Sequence, residues 1–116
     1  MMLKPPTGRW SLWQLFPDPQ HLGILTAPFG PGVYELRLQN GELLLCGIGA
    51  NVAQRMTSLL PEAGGGRGVR NTSRKREFIA KNIADIEYRT LACATREDAR
   101  TIERELLKTG DYWFRT

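Results

Sequence analysis

An α+β domain, built from a small antiparallel sheet with flanking helices, is the fold class that this sequence favours. A hairpin signal, Asn40-Gly41, stands between two segments of β-prone residues. Segments with the apolar spacing of amphipathic helices follow, on both sides of a third β-prone segment. The chain has 116 residues, which is enough for one domain that buries most of its apolar side chains.

Composition places the chain among ordinary globular proteins. Apolar residues make up 41% and charged residues 24% of the sequence, which argues against a disordered chain. No apolar run approaches the roughly 18–20 residues that a membrane span needs. The segment Met1 to Pro6 lacks the apolar core of a secretion signal. Cys46 and Cys93 both lie among apolar residues, so we expect buried free thiols in a reducing cytoplasm.

The N-terminal segment, residues 1–29, is predicted to be a proline-rich extension of the domain formed by residues 30–116. Six of the seven prolines of the chain precede residue 32. Within the extension, the segment from Trp10 to Phe16 carries three aromatic side chains and is expected to form a short helix. Its rings could cover the domain or dock a partner protein, and the packing role is favoured.

The domain begins with a β-hairpin that runs from Val33 to Gly47. Asn-Gly between β-prone segments is a strong hairpin signal, because both residues of a two-residue turn must adopt positive φ. Such a turn fixes the register of the two strands. The predicted pairs are Gln39 with Glu42, Leu38 with Leu43, Leu36 with Leu45, and Tyr34 with Gly47.

Two helices are predicted after the hairpin. Asn51 can cap a helix from Val52 to about Leu60, and Arg55 borders its apolar stripe. Ser73 can cap a second helix that ends near Asn82. Phe78 and Ile79 are expected to face inward from it, with Arg74, Lys75 and Lys81 facing outward.

A third strand, Ile86 to Cys93, precedes the last helix. Thr95, with Asp98 three residues on, resembles a capping box that opens a helix to about Lys108. The predicted buried stripe of this helix is Ala99, Ile102, Leu106 and Leu107.

Glu103 lies within that apolar stripe. A carboxylate on a buried face is costly unless a cation or hydrogen-bond donors meet it. Two explanations remain open from the sequence: a structural ion pair with an arginine such as Arg55, or a metal ligand in a cleft.

Basic residues concentrate in one part of the chain. Between residues 67 and 81 there are six of them, against the single acidic residue Glu77. Because the whole chain has a net charge of only +4, this is a local patch. Such a patch suits nucleic acid, with DNA favoured, since each neutralised phosphate releases condensed counterions. A solvated charged surface is the other interpretation. The patch consists of Arg67, Arg70, Arg74, Lys75, Arg76 and Lys81.

Four landmarks resemble the GIY-YIG nuclease family. Gly32-Val33-Tyr34 matches the first signature, and Leu45-Cys46-Gly47 occupies the second at the usual separation. Arg55 lies eight residues after Gly47, at the position of the family's helix arginine. Glu103 matches the metal-binding glutamate of the family. The resemblance covers residues 30 to about 110.

The resemblance implies a three-stranded antiparallel sheet flanked by helices, and an endonuclease that hydrolyses DNA phosphodiester bonds with one divalent metal ion. In that family's mechanism, Glu103 would hold Mg²⁺ or Mn²⁺. Arg55 would pair with the phosphate. Tyr34 would position or deprotonate the attacking water, and a base role needs nearby positive charge to lower its pKa.

The chain also departs from the family pattern. Leu45 stands where the second tyrosine belongs, and it can neither orient water nor act as a base. Ile48 follows the signature glycine, where lysine is frequent, and the late asparagine would fall near Arg115. Three functions therefore stay open: an endonuclease with reduced or lost activity, a non-catalytic nucleic-acid-binding module, and a protein-interaction domain that uses the aromatic N-terminal segment.

Overall fold

The structure, a computed structural model, describes residues 10–17, 25–57 and 73–114. These residues form an α+β fold with one four-stranded antiparallel sheet and three α-helices. In chain order the elements are β1 (Gln14–Leu15), β2 (Gly32–Leu38), β3 (Leu43–Gly49), α1 (Val52–Thr57), α2 (Ser73–Lys81), a 3₁₀ turn (Ile83–Asp85), β4 (Ile86–Ala92) and α3 (Arg96–Thr109). The strand order in the sheet is β1-β4-β2-β3, so the expected three-stranded sheet has a fourth member.

Strand β1 comes from the segment that was expected to be a short aromatic helix, and that expectation is wrong. The segment is extended along β4, and the N–H of Phe16 donates to the carbonyl oxygen of Ile86 at 2.8 Å. A helix of this length is marginal in water. An extended segment instead covers the open edge of β4 with backbone hydrogen bonds, and Phe16 enters the core at 3% exposure.

The hairpin turn is one residue longer than predicted. The N–H of Leu38 donates to the carbonyl oxygen of Glu42, so residues 39–41 form the loop. Gly41 has φ of +99°, and its N–H donates to the carbonyl oxygen of Leu38. A type I turn followed by a left-handed glycine is the usual geometry of such a loop. The predicted pairs at the turn, Gln39 with Glu42 and Leu38 with Leu43, are therefore wrong.

A β-bulge restores the predicted register beyond the turn. The pairing shifts between Leu36 and Arg37, and Leu44 of β3 is the extra residue. It compensates for the extra residue of the loop. The predicted pairs Leu36–Leu45 and Tyr34–Gly47 are confirmed.

Helix α1 begins where the sequence predicts. The Asn51 side-chain oxygen accepts the N–H of Gln54 at 3.1 Å, which is the expected cap. Val52 and Met56 are fully buried. The predicted end of this helix, near Leu60, lies outside the described residues.

Helix α2 matches its predicted span, but Lys75 lies on the buried face of the helix rather than on the exposed face that was predicted. Arg74 and Lys81 are exposed, as expected. Lys75 is only 4% exposed, so its predicted place on the outer surface is wrong. Lys75 precedes the buried Ile79 by four residues, and residues four apart share one face of a helix. Among the other residues of the basic patch, Arg67 and Arg70 lie outside the described residues, as does the side chain of Arg76.

Helix α3 is capped as predicted, with the Thr95 hydroxyl accepting the N–H of Asp98 at 3.1 Å. Ala99 is buried, and Ile102 and Leu106 pack against the same cluster. Leu107 is 42% exposed, so its predicted burial is wrong. It stands one position past Leu106, at the margin of the stripe.

The sheet carries an apolar cluster on each face, because successive side chains of β2 point to opposite sides. The Tyr34 face holds Tyr34, Leu36, Leu45 and Tyr88, packed against residues of α1 and α2. The Glu35 face holds Val33 and Leu91, packed against α3. Glu35 lies on this second face because it alternates with Tyr34.

The thiols of Cys46 and Cys93 are both buried, as predicted. No helix among the described residues combines the length and the apolar character that a membrane crossing requires.

Candidate functional site

Tyr34 is the centre of the candidate site. It lies in β2 opposite Gly47 of β3 and has no exposed surface. A Cβ atom at Gly47 would overlap the Tyr34 phenol oxygen. The glycine of the second signature is therefore needed sterically, because it lets the phenol lie across β3.

The Tyr34 hydroxyl is buried and has no hydrogen-bond partner with proper geometry among the described residues. Burial raises the pKa of Tyr34 above its usual value of 10.0. The Arg55 guanidinium is close enough to act in the opposite direction and lower that pKa, but burial prevails. A hydroxyl with a raised pKa and no access to water is unsuited to deprotonate a water molecule.

Arg55 approaches the hydroxyl from α1. Gly49, at the end of β3, allows this approach, because a Cβ atom placed there would lie 3.1 Å from the Cβ of Arg55. The Arg55 side chain is half-buried, so part of it reaches the surface.

Glu103 comes from the opposite face of the sheet, on α3. Its neighbour Ile102 packs into the apolar cluster of the Glu35 face, which fixes the helix against β2 and β3. Glu103 is half-buried rather than enclosed. Its charge acts on the Tyr34 hydroxyl and raises the pKa, as a lesser cause than burial. The Tyr34 hydroxyl is therefore subject to the charges of both Arg55 and Glu103, of which Arg55 has the stronger effect.

The donor set for a metal ion near Tyr34 is small. Across residues 10–17, 25–57 and 73–114, no cluster of three or more histidine, cysteine, aspartate or glutamate side chains is arranged to hold a metal. Glu103 offers a single, partly exposed carboxylate. That suits Mg²⁺, which keeps several waters and is commonly bound by one or two carboxylates together with substrate phosphates.

Lys75 belongs to this neighbourhood as well. Burial lowers the pKa of Lys75, and the charge of Arg55 lowers it further. Two cationic side chains, one from α1 and one from α2, therefore lie near enough to repel each other on the Tyr34 face. The sequence analysis placed Lys75 in a surface patch, because it assigned this residue to the exposed face of α2.

The Glu35 face holds a second polar cluster that the sequence prediction missed. Glu35 is 2% exposed, and its two carboxylate oxygens accept from Arg89 at 2.8 Å and from the Tyr112 hydroxyl at 2.5 Å. Burial, followed by Glu35, strongly raises the pKa of Tyr112. Burial also raises the pKa of the neighbouring Cys46 to about 11, so its thiol stays protonated and unreactive.

The register of β2 against β4 is the signal that could have found this cluster, since it places Glu35 opposite Arg89. The sequence does not reveal that Tyr112, beyond the end of α3, returns to the sheet.

The aromatic N-terminal segment packs on the same face. The Arg37 guanidinium lies 4.0 Å from the ring centroid of Trp13, and that of Arg89 lies 4.1 Å from the ring centroid of Trp10. These are cation–π contacts. The packing role favoured for the two tryptophans is therefore confirmed.

Neither the models of known protein families nor the sequences of curated proteins match this chain.

Proposed function

We propose that the protein is a metal-dependent endonuclease of the GIY-YIG type that hydrolyses DNA phosphodiester bonds. The observation that carries the proposal is that the charges of Arg55 and Glu103, on helices at opposite faces of the sheet, both act on the buried Tyr34 hydroxyl. The same three residues are the ones that the sequence resemblance selects. The two buried cysteine thiols are consistent with the cytoplasm as its compartment.

In this proposal Arg55 binds the scissile phosphate. A guanidinium presents a fixed fork of donors that matches two phosphate oxygens, and it strengthens as negative charge develops on them. Lys75 adds a second positive charge beside Arg55 and makes the neighbourhood more favourable for an anion.

Glu103 holds the divalent ion, for which Mg²⁺ or Mn²⁺ is the expected choice. When bound, such an ion stabilises charge on the phosphate and lowers the pKa of a water molecule. The partial exposure of Glu103 leaves room for the waters and the phosphate that complete such a site.

Tyr34 acts as a positioning residue. Its enclosed hydroxyl and raised pKa argue against the base role that the resemblance implies. Its hydroxyl instead lies near the Arg55 guanidinium, and in this proposal it helps to hold the guanidinium toward the phosphate.

A cleavage screen tests the proposal. The protein is incubated with single-stranded, duplex and branched DNA, and with RNA, in Mg²⁺ or Mn²⁺. Arg55→Ala and Glu103→Ala are each expected to lower the cleavage rate roughly 100- to 1,000-fold, the usual effect of losing one group that stabilises the transition state.

Arg96→Ala is the matched control, because Arg96 is an exposed cation in the first turn of α3, seven residues or about 10.5 Å along the helix axis from Glu103. Circular dichroism checks that each variant is folded. Absence of cleavage by the unsubstituted protein with either metal contradicts the proposal.

A second candidate is a nucleic-acid-binding module without hydrolytic activity. The observation that favours it is Leu45, which stands fully buried at the position of the second tyrosine. This candidate predicts binding that weakens steeply as salt rises and that is reduced in Arg74→Ala. A salt-independent binding curve contradicts it.

A further inference from the structure

A groove separates α2 from the segment that follows α3. Its volume is about 450 Å³, which lies within the range of small-ligand sites. Aromatic rings form one part of its lining and charged side chains of α2 form the other. The residues that matter are Arg74, Glu77, Phe78, Lys81, Trp113 and Phe114.

The aromatic part of the groove consists of three rings, those of Phe78, Trp113 and Phe114. The centroid of Phe78 lies 5.2 Å from that of Trp113 and 5.5 Å from that of Phe114, and both pairs are inclined by about 60°. Such inclined contacts are favourable and fix the rings against one another. Trp113 nevertheless remains 51% exposed.

The backbone holds Trp113 in place. Its N–H donates to the carbonyl oxygen of Leu43 at 3.3 Å, and the N–H of Phe114 donates to that of Leu44 at 2.8 Å. These are the residues at the bulge of β3. A large ring that is fixed and half exposed is a ready platform for stacking.

Two cations stand beside this platform. Arg74 and Lys81 are exposed and separated by seven positions, or about 10.5 Å along the helix axis. Phe78 lies between them on the same side of α2, four residues after Arg74 and three before Lys81. Glu77 is the acidic side chain of the groove, so the two cations outnumber it.

We propose that this groove binds one unpaired nucleotide of a single-stranded nucleic acid, with the base stacked on Trp113 and the adjoining phosphates on Arg74 and Lys81. The inference rests on the proposed function and names the form of nucleic acid that the protein selects. Every base offers a flat face to an aromatic ring, so the site takes any sequence. In a duplex the faces of the bases are already stacked and do not reach Trp113. An acidic peptide would engage the two cations but would leave the exposed ring unused.

Binding is measured by fluorescence anisotropy of a labelled oligothymidylate and of a hairpin duplex of equal charge. EDTA is present throughout, so that no strand is cut. Trp113→Ala is expected to weaken single-strand binding roughly 5- to 100-fold, the effect of losing one stacking aromatic, with little change for the duplex. Trp113→Phe restores most of the affinity.

The cation pair is tested separately. Arg74→Ala/Lys81→Ala should weaken binding and reduce the slope of log K against log salt by about 1.4, since single strands contribute about 0.7 per phosphate contact. Arg100→Ala/Arg104→Ala removes two exposed cations of α3 and is the matched control for charge. Phe29→Ala removes an aromatic ring that is 84% exposed outside the groove and is the control for Trp113.

The outcomes separate this inference from the proposed function. Loss of single-strand binding in the groove variants, with the controls unchanged, supports the groove whether or not the protein cleaves DNA. Equal binding by Trp113→Ala and the unsubstituted protein, or displacement of the oligonucleotide by polyglutamate at equal charge, overturns it. If Trp113→Ala still cleaves DNA and binds it with unaltered affinity, the endonuclease proposal stands and the groove proposal is contradicted.

Discussion

The two faces of the sheet differ in how one buried polar group on each of them is paired. On the Glu35 face, the carboxylate of Glu35 has a donor for each of its oxygens, Arg89 and Tyr112. On the Tyr34 face, the Tyr34 hydroxyl lies beside Arg55 without a properly formed hydrogen bond among the described residues. Of these two buried groups, Glu35 has its hydrogen-bond partners, whereas the Tyr34 hydroxyl has none with proper geometry among the described residues.

We interpret Glu35 as part of a structural cluster and Tyr34 as part of a candidate functional one. A satisfied network stabilises the fold, because every buried donor and acceptor has replaced its water. A buried hydroxyl without a partner lowers stability, so its presence needs another reason. The neighbouring Arg55, Lys75 and Glu103 supply that reason if they bind a phosphate and its metal ion.

The largest effect on stability is expected at Glu35. Glu35→Ala would leave Arg89 without its buried partner, and we expect a loss of about 3 kcal/mol, at the lower end for broken buried pairs because the Arg89 side chain is 26% exposed. Urea denaturation of the variant measures the loss.

Glu87→Ala is its matched control. The Arg37–Glu87 pair has the same cross-strand 2.8 Å contact, but both of its side chains are more than 20% exposed. We expect a loss of less than about 1 kcal/mol. Equal losses in the two variants would show that burial does not distinguish the pairs.

A smaller effect on stability is expected to distinguish Tyr112 from Tyr34. Tyr112→Phe removes a hydrogen bond to a buried carboxylate and should lower the free energy of unfolding by about 1–3 kcal/mol. Tyr34→Phe removes a hydroxyl that lacks a partner and should leave the stability unchanged or raise it by up to about 1 kcal/mol. Thermal unfolding compares the two.

When DNA cleavage is measured instead of stability, the two variants are expected to rank in the opposite order. Tyr34→Phe should cleave DNA more slowly than Tyr112→Phe, because only Tyr34 lies beside Arg55. A Tyr34→Phe variant that is less stable than Tyr112→Phe would invalidate the contrast between the faces.

The smallest effect is a dependence of stability on alkaline pH. Burial raises the pKa of Cys46 from 9.0 in the unfolded chain to about 11 in the folded protein. The unfolded state therefore loses its proton first, so the stability is fully present below pH 9 and falls as the pH rises toward 11. Cys46→Ala should therefore lose less stability than the unsubstituted protein between pH 9 and pH 11. An identical pH profile in the variant would contradict the assignment.

Local sequence signals predicted the regular elements well. The Asn51 and Thr95 caps, the strand Ile86–Ala92 and the pairing of Tyr34 with Gly47 are all present as expected. Each depends on residues close together in the chain or on strict alternation, and such signals carry directly into structure.

The failures depend on tertiary contacts. The extended path of the Trp10–Phe16 segment is set by the open edge of β4, and the inward position of Lys75 by the packing of α2. The hairpin loop and the bulge each contain one residue more than predicted. The two extra residues compensate for each other, so the pairing of Tyr34 is still as predicted. Of the candidate site, the sequence identified Tyr34, Arg55 and Glu103, but not the burial of the Tyr34 hydroxyl, which is a property of the assembled core.

The most direct test compares two glutamates of α3. Glu103→Gln keeps the size of a side chain near Tyr34 and Arg55 but removes its charge, whereas Glu105→Gln does the same at a position exposed by 68%. In single-turnover cleavage of DNA with Mg²⁺, Glu103→Gln should be slower by roughly 100-fold or more, and Glu105→Gln should match the unsubstituted protein. Equal rates for the two variants, or no cleavage by the unsubstituted protein, would contradict the role given to Glu103.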